Sequence, residues 1–176
     1  DMQTTMTLRA PLGVAWTTQY VQLRPAALRG WTGATLTVDA QQTPCQWLGD
    51  GGVMVRLALH PDRPATLVFT SADAAPAAAR PDEPITTPRR LGVPGREITV
   101  GPDTPWLGFA DWRFESTVHC DTALQGAAVT TTADGPLFTD YRICYQYAEH
   151  RRYVVELRCY KLDPWVEVAE HFSLGM

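Results

Sequence analysis

Residues 135–172 read GPLFTDYRICYQYAEHRRYVVELRCYKLDPWVEVAEHF. The stretch consists of three alternating runs rich in aromatic and β-branched residues, separated by two short polar breaks. Tyr141, Ile143, Tyr145 and Tyr147 alternate with Arg142, Cys144 and Gln146. Period-two alternation of this kind marks strands that bury one face, and short breaks between them give an antiparallel meander. Only Ser173-Leu174-Gly175-Met176 follows, so the last strand is expected to leave an unfinished sheet edge. Either another subunit covers that edge or the chain is the front part of something longer, and the second expectation is favoured.

The same signals run through the rest of the chain. Strands are expected at 17–23, 35–39, 53–59, 65–70, 96–100, 112–119, 127–132, 141–147, 153–162 and 165–172, with helical periodicity nearly absent. Val53, Val55, Leu57 and Leu59 alternate with Met54, Arg56, Ala58 and His60, which assigns one buried face. Turn residues punctuate the runs at Gly49-Asp50-Gly51-Gly52, at His60-Pro61-Asp62-Arg63-Pro64, at Ala133-Asp134-Gly135-Pro136 and at Asp163-Pro164. The fold class expected is all-β, an antiparallel β-sandwich built as two packed sub-units. Residues 1–70 are expected to form a small β-sandwich unit and residues 96–176 an antiparallel sheet unit. Between them, residues 71–95 carry Pro76, Pro81, Pro84, Pro88 and Pro94 beside an alanine-rich patch, and are expected to be a semi-extended connection.

Composition narrows the functional classes. The chain has 176 residues, 45% hydrophobic and 19% charged, which is globular rather than disordered. A unit of this size buries roughly 70% of its unfolded surface, so no metal or disulfide staple is required. The net charge of −4 argues against a nucleic-acid partner. Lys161 is the only lysine, so arginine usage here reflects composition more than a basic patch. No apolar run approaches the about 18 residues of a membrane span, and the first residues lack the pattern of a secretory leader.

Catalytic and metal-binding signatures are absent from the sequence. Cys45, Cys120, Cys144 and Cys159 form no CxxC pair, so zinc is not expected. Cys144 and Cys159 belong to one hairpin; an even register total places them on opposite faces and an odd one together, and buried free thiols are the favoured reading. His60, His119, His150 and His171 fall one per segment, with His119 the one to look at first. There is no G-x-S-x-G elbow, phosphate loop or dinucleotide fingerprint, and no cofactor is indicated. Asp111, Glu115, Glu156, Glu167 and Glu170 are the carboxylates on or beside strands, and each reads as a surface residue. Glu156 shares a strand face with Arg158, as in a solvated ladder. The richest constellation is Trp106 to His119, where Trp106, Trp112, Arg113, Glu115 and His119 offer aromatic platforms beside polar groups. That is a candidate glycan-contact strip, set against the plainer reading of Trp112 and Phe114 as a buried strand face.

The order of Leu36–Asp39, Thr43-Pro44-Cys45-Gln46, Val53–Leu59, His60-Pro61 and Ala65–Thr70 resembles a small β-sandwich layout at the front of bacterial polysaccharide-active enzymes. In the second half, Gly135–Phe138, Tyr141–Tyr147, Tyr153–Tyr160 and Trp165–Glu170 are similar to the opening strands of galactose-mutarotase-like supersandwich domains of glycoside hydrolases and polysaccharide lyases. A supersandwich needs many more strands than this chain supplies, and no catalytic residue carries over. The resemblance implies an accessory region, not catalytic by itself, that braces a catalytic domain and contacts polysaccharide or oligosaccharide. It also implies a secreted or periplasmic setting, and a downstream catalytic domain or another subunit at the C-terminal sheet edge. Two alternatives stand beside it: a free-standing glycan- or surface-binding module, and a homo-oligomeric lyase or hydrolase with its site between chains.

Overall fold

A computed structural model describes residues 2–48, 51–73, 79–103, 106–109, 112–115 and 122–173, and at 106–109 and 112–115 the description is of the backbone. The fold is all-β with antiparallel sheets, as the alternation required. The chain divides into two compact units: Asp1–Ala77 with Gly135–Leu137, and Ala78–Asp134 with Phe138–Met176.

The first unit contains β1 (Gln3–Leu8), β2 (Trp16–Leu23), β3 (Ala34–Val38), β4 (Gln41–Thr43), β5 (Cys45–Trp47), β6 (Val53–Leu59) and β7 (Ala65–Ser71). They form a sheet ordered β1-β7-β3-β4 and another ordered β2-β6-β5. Val53, Val55, Leu57 and Leu59 of β6 pack with Leu36, Leu67 and Phe69 from the other sheet, which makes a sandwich core. Phe69 and Leu67 are fully buried, and truncating a buried Phe to Ala costs about 3–5 kcal/mol.

Two residues join β3 to β4, and both have positive φ, Asp39 at 47° and Ala40 at 67°. This is the twist that matches a two-residue hairpin, and it normally takes Gly at the second position. Asp39 holds the turn in place: its N–H donates to the Thr66 carbonyl at 2.9 Å, and its Oδ1 accepts the Thr66 N–H at 2.9 Å.

The second unit contains β8 (Arg80–Pro84), β9 (Arg89–Val93), β10 (Arg96–Val100), β11 (Trp106–Phe109), β12 (Trp112–Glu115), β13 (Leu124–Asp134), β14 (Phe138–Tyr147), β15 (Arg152–Tyr160) and β16 (Val166–Ser173). A sheet ordered β12-β11-β10-β9 and one ordered β16-β15-β14-β13-β8 enclose a second core. The 71–95 stretch thus holds more order than the expected connection, since β8 and β9 lie inside it. The prolines of β8 are tolerated because it is an edge strand, paired on one side only and with a register shift in that pairing.

The register of β14 on β15 decides which side chains go inside. Tyr145 faces Tyr153, Ile143 faces Val155 and Tyr141 faces Leu157. All of these except the half-buried Tyr141 are essentially inaccessible. Every pair numbers to an even total, so Cys144 and Cys159 lie on opposite faces, and both are free thiols. Tyr145 stacks on Tyr153 at 5.7 Å and Tyr153 on Phe172 at 4.8 Å, an aromatic row running from β14 to β16. The Tyr145 hydroxyl donates to the Gly101 carbonyl at 3.1 Å, so this buried phenol is not left unpaired.

Gly135 and Leu137, counted with the first unit, rest on the buried Gln46 of β5. The Gln46 Oε1 accepts the Leu137 N–H at 3.1 Å, and a Cβ built on Gly135 would stand 2.4 Å from Gln46 Cδ. Two stability outcomes follow from these contacts. Gly135→Ala should displace Gln46 and lose its bond to Leu137, lowering unfolding free energy in urea by about 1–3 kcal/mol. Ala40→Gly relieves a left-handed Ala and should raise stability in the same assay, by about 1 kcal/mol after the entropy cost of Gly.

Candidate functional site

The even-numbered residues of β14 and β15 lie on the face opposite the core of the second unit, and Asp140, Arg142, Glu156 and Arg158 form the polar part of that face. Arg142 stands opposite Glu156, and Asp140 opposite Arg158. On β16, Glu167 stands opposite Arg158 and Ala169 opposite Glu156. With Thr132 of β13 these side chains line an open groove of about 610 Å³.

Arg158 organises the groove. Its Nε and Nη2 donate to Asp140 Oδ1 and Oδ2, both at 2.8 Å, the fork geometry that fits a carboxylate. Its guanidinium carbon lies 4.1 Å from the centroid of the Phe138 ring, within cation–π range. The bonds to Asp140 are the main reason its pKa is held above the ordinary arginine value, against the opposing effect of burial. Tyr160, opposite Phe138, donates its hydroxyl to Glu167 Oε1 at 2.6 Å. Burial first, and then that bond to Glu167, pushes the Tyr160 phenol up to about 12. At the groove's outer side His171 Nε2 lies 3.5 Å from Glu156 Oε2, with both side chains more than half exposed. An exposed pair of this kind contributes little to stability.

Beside the groove, Asp134 at the end of β13 accepts from Lys161 at 2.7 Å and from the Thr139 hydroxyl at 2.9 Å. The bond from Lys161 is the leading reason its carboxyl sits below the usual range.

The strip expected from sequence lies on another element. Trp106, Trp112, Arg113 and Glu115 belong to the β11–β12 hairpin, in which Trp106 pairs with Glu115, Gly108 with Arg113, and Phe109 with Trp112. Strand alternation therefore puts positions 106, 113 and 115 on one face and position 112 on the other. His119, Cys120 and Asp111 lie outside the described residues. Of the other histidines, His60 accepts the Asp62 N–H at 3.4 Å within its turn, and His150 sits in the β14–β15 connection with φ of 60°. Among the described residues, His, Cys, Asp and Glu form no group of three placed to hold a metal ion, and no helix is long and apolar enough to cross a membrane.

Glu156, Arg158 and Glu167 were visible in the sequence as outward strand residues. Asp140, Arg142 and Tyr160 were not singled out, although the alternation around Tyr141 already placed Asp140 and Arg142 together. What was missing was the register that sets Asp140 against Arg158. Comparisons with protein-family models, with curated proteins and with solved structures return no match.

Four buried or half-buried acids define how the protein meets alkali. Desolvation raises the Cys45 and Cys159 thiols from 9.0 to about 11, and the Tyr145 and Tyr160 phenols from 10.0 to about 12. The unfolded chain loses these protons at lower pH than the folded one, so deprotonation favours unfolding. Stability should be fully present below pH 9 and should fall as pH rises toward 11 and then 12. Urea midpoints measured across that range check the direction, and ultraviolet titration of wild type against Tyr145→Phe and Tyr160→Phe should assign each of these two phenols an ionisation above 10.0.

Proposed function

We propose that this chain is an accessory β-sandwich region of a bacterial carbohydrate-active enzyme of the glycoside hydrolase or polysaccharide lyase kind. It braces a catalytic part and contacts glycan through the polar face of β13–β16. The observation that carries this reading is the groove of about 610 Å³ between Asp140, Arg142, Glu156, Arg158 and Glu167. Sugar hydroxyls are both donors and acceptors, and a mixed row of carboxylates and guanidinium groups answers both. The clamp of Asp140 and Phe138 on Arg158 fixes one donor before any ligand arrives, which lowers the entropy cost of binding. Positions 106, 113 and 115, which share one face of the β11–β12 hairpin, offer a second contact in the same unit.

Fold class alone does not assign this role, so the test has to be made at the groove. Affinity electrophoresis against a panel of neutral and acidic polysaccharides should retard the wild-type chain with at least one of them. Arg142→Ala and Glu156→Gln, both at exposed positions, should each weaken that retention about tenfold, equivalent to about 1.4 kcal/mol. Retention that both variants leave intact would move the contact to the hairpin, where Trp106→Ala is the next substitution. A chain that no polysaccharide retards would remove glycan contact and leave only the bracing role.

A further inference from the structure

The five-stranded sheet of the second unit ends in two unlike edges. At one, β8 carries Pro81 and Pro84, and its pairing with β13 contains a register shift. Prolines and bulges are the ordinary means of blunting a sheet edge against further pairing. At the other, β16 follows β15 through eight consecutive pairs with no shift and has no proline. Among the described residues no strand lies beyond it, and every residue from Glu167 to Ser173 is exposed. Val168 is 48% exposed and Phe172 56%, and Trp165 just before the strand is 53% exposed.

The sequence of this edge decides what it accepts. An antiparallel partner must set residues of the same face opposite each other, or the apolar side of one strand meets the polar side of the next. For a second copy related by a dyad, that leaves registers centred on a single residue. Centred on Ala169, Glu167 stands opposite His171 of the second copy and Val166 opposite Phe172, each twice by symmetry. The small Ala169 meets itself. Val168 then faces Glu170, whose carboxylate already accepts the Tyr153 hydroxyl. Centred one residue later, Glu170 would meet Glu170, and centred one residue earlier, Glu167 would face Ala169 and Val166 would face Glu170; in both cases the two Glu–His pairs would be lost. Opposite charges across a strand pair stabilise it and like charges oppose it, so the first register is selected.

We propose that the chain associates with a second copy of itself by antiparallel β16–β16 pairing centred on Ala169, which doubles the five-stranded sheet. The aromatic row of Tyr145, Tyr153 and Phe172 then continues onto Val166 of the second copy. The charged face continues likewise: the side chain of His171 lies between Glu156 of its own chain and Glu167 of the other. This pairing is independent of the glycan reading, and its test contains no carbohydrate.

Sedimentation equilibrium of the full chain over a wide concentration range should show a monomer–dimer equilibrium. Ala169→Lys puts like charges on the dyad but sets Lys opposite Glu156 within its own sheet. It should therefore keep the thermal melt of the monomer while raising the dimer dissociation constant at least tenfold. Ala169→Cys should form a disulfide-linked dimer on mild oxidation, because directly opposite Cβ atoms stand about 4.5–5.5 Å apart, near disulfide reach. Glu170→Cys should not, since its nearest copy lies on a diagonal about 7–8 Å away. The wild-type chain, with its own cysteines, sets the background for both. A chain that stays monomeric at every concentration and does not cross-link through position 169 overturns the proposal. So does association that Ala169→Lys leaves unchanged, or cross-linking that is stronger at position 170 than at 169.

Discussion

The pairing of Tyr145 with Tyr153 is the constraint on which the second unit depends. A strand has only two faces, and a slip of one residue would exchange them along the whole of β15. With this register, Ile143, Tyr145, Tyr147, Tyr153, Val155 and Leu157 enter the core. The same register leaves Asp140, Arg142, Glu156 and Arg158 together on the outside. The apolar interior and the polar groove are therefore two consequences of one alignment. The stacked rings of Tyr145, Tyr153 and Phe172 reinforce it, because a slipped strand would take Tyr153 out of the row.

The polar face is more ordered than a row of exposed charges would be. Arg158 and Asp140 each keep less than a third of their side-chain surface, and their bond is a two-point fork. Removing water from such a pair is costly, and the geometry has to recover that cost. Phe138 does part of this by covering the guanidinium plane. Glu167 is tied through the Tyr160 hydroxyl, so two of the groove's three carboxylates have fixed partners inside the sheet. Glu156 and Arg142 are the more exposed members, the ones a ligand would reach first.

Much of the fold was legible where alternation was strong and residues were large. β6 and β14 are examples, with Val53, Val55, Leu57 and Leu59 in one and Ile143, Tyr145 and Tyr147 in the other. β1 was not legible, because Gln3–Leu8 is rich in threonine, and its residues alternate between half-buried and exposed without a fully buried face. β9 was hidden because Leu91 is its one buried residue, too little for any period to register. β8 has the sequence of a linker, because proline counts against a strand, a rule that relaxes at a sheet edge. The groove was half legible. Periodicity assigns Glu156 and Arg158 to one face, but no single-strand pattern says which residue of the neighbouring strand each will meet.

Gly135, Pro136 and Leu137 belong with the first unit although the residues on either side belong to the second. During synthesis, the strands β1 to β7 leave the ribosome well before this segment does. Until it arrives, the pocket over Gln46 lacks Leu137, a fully buried apolar side chain, and the backbone N–H that Gln46 accepts. The first unit is thus completed only after β8 to β13 of the second have been made. Translation speed across β8–β13 sets how long that surface waits open.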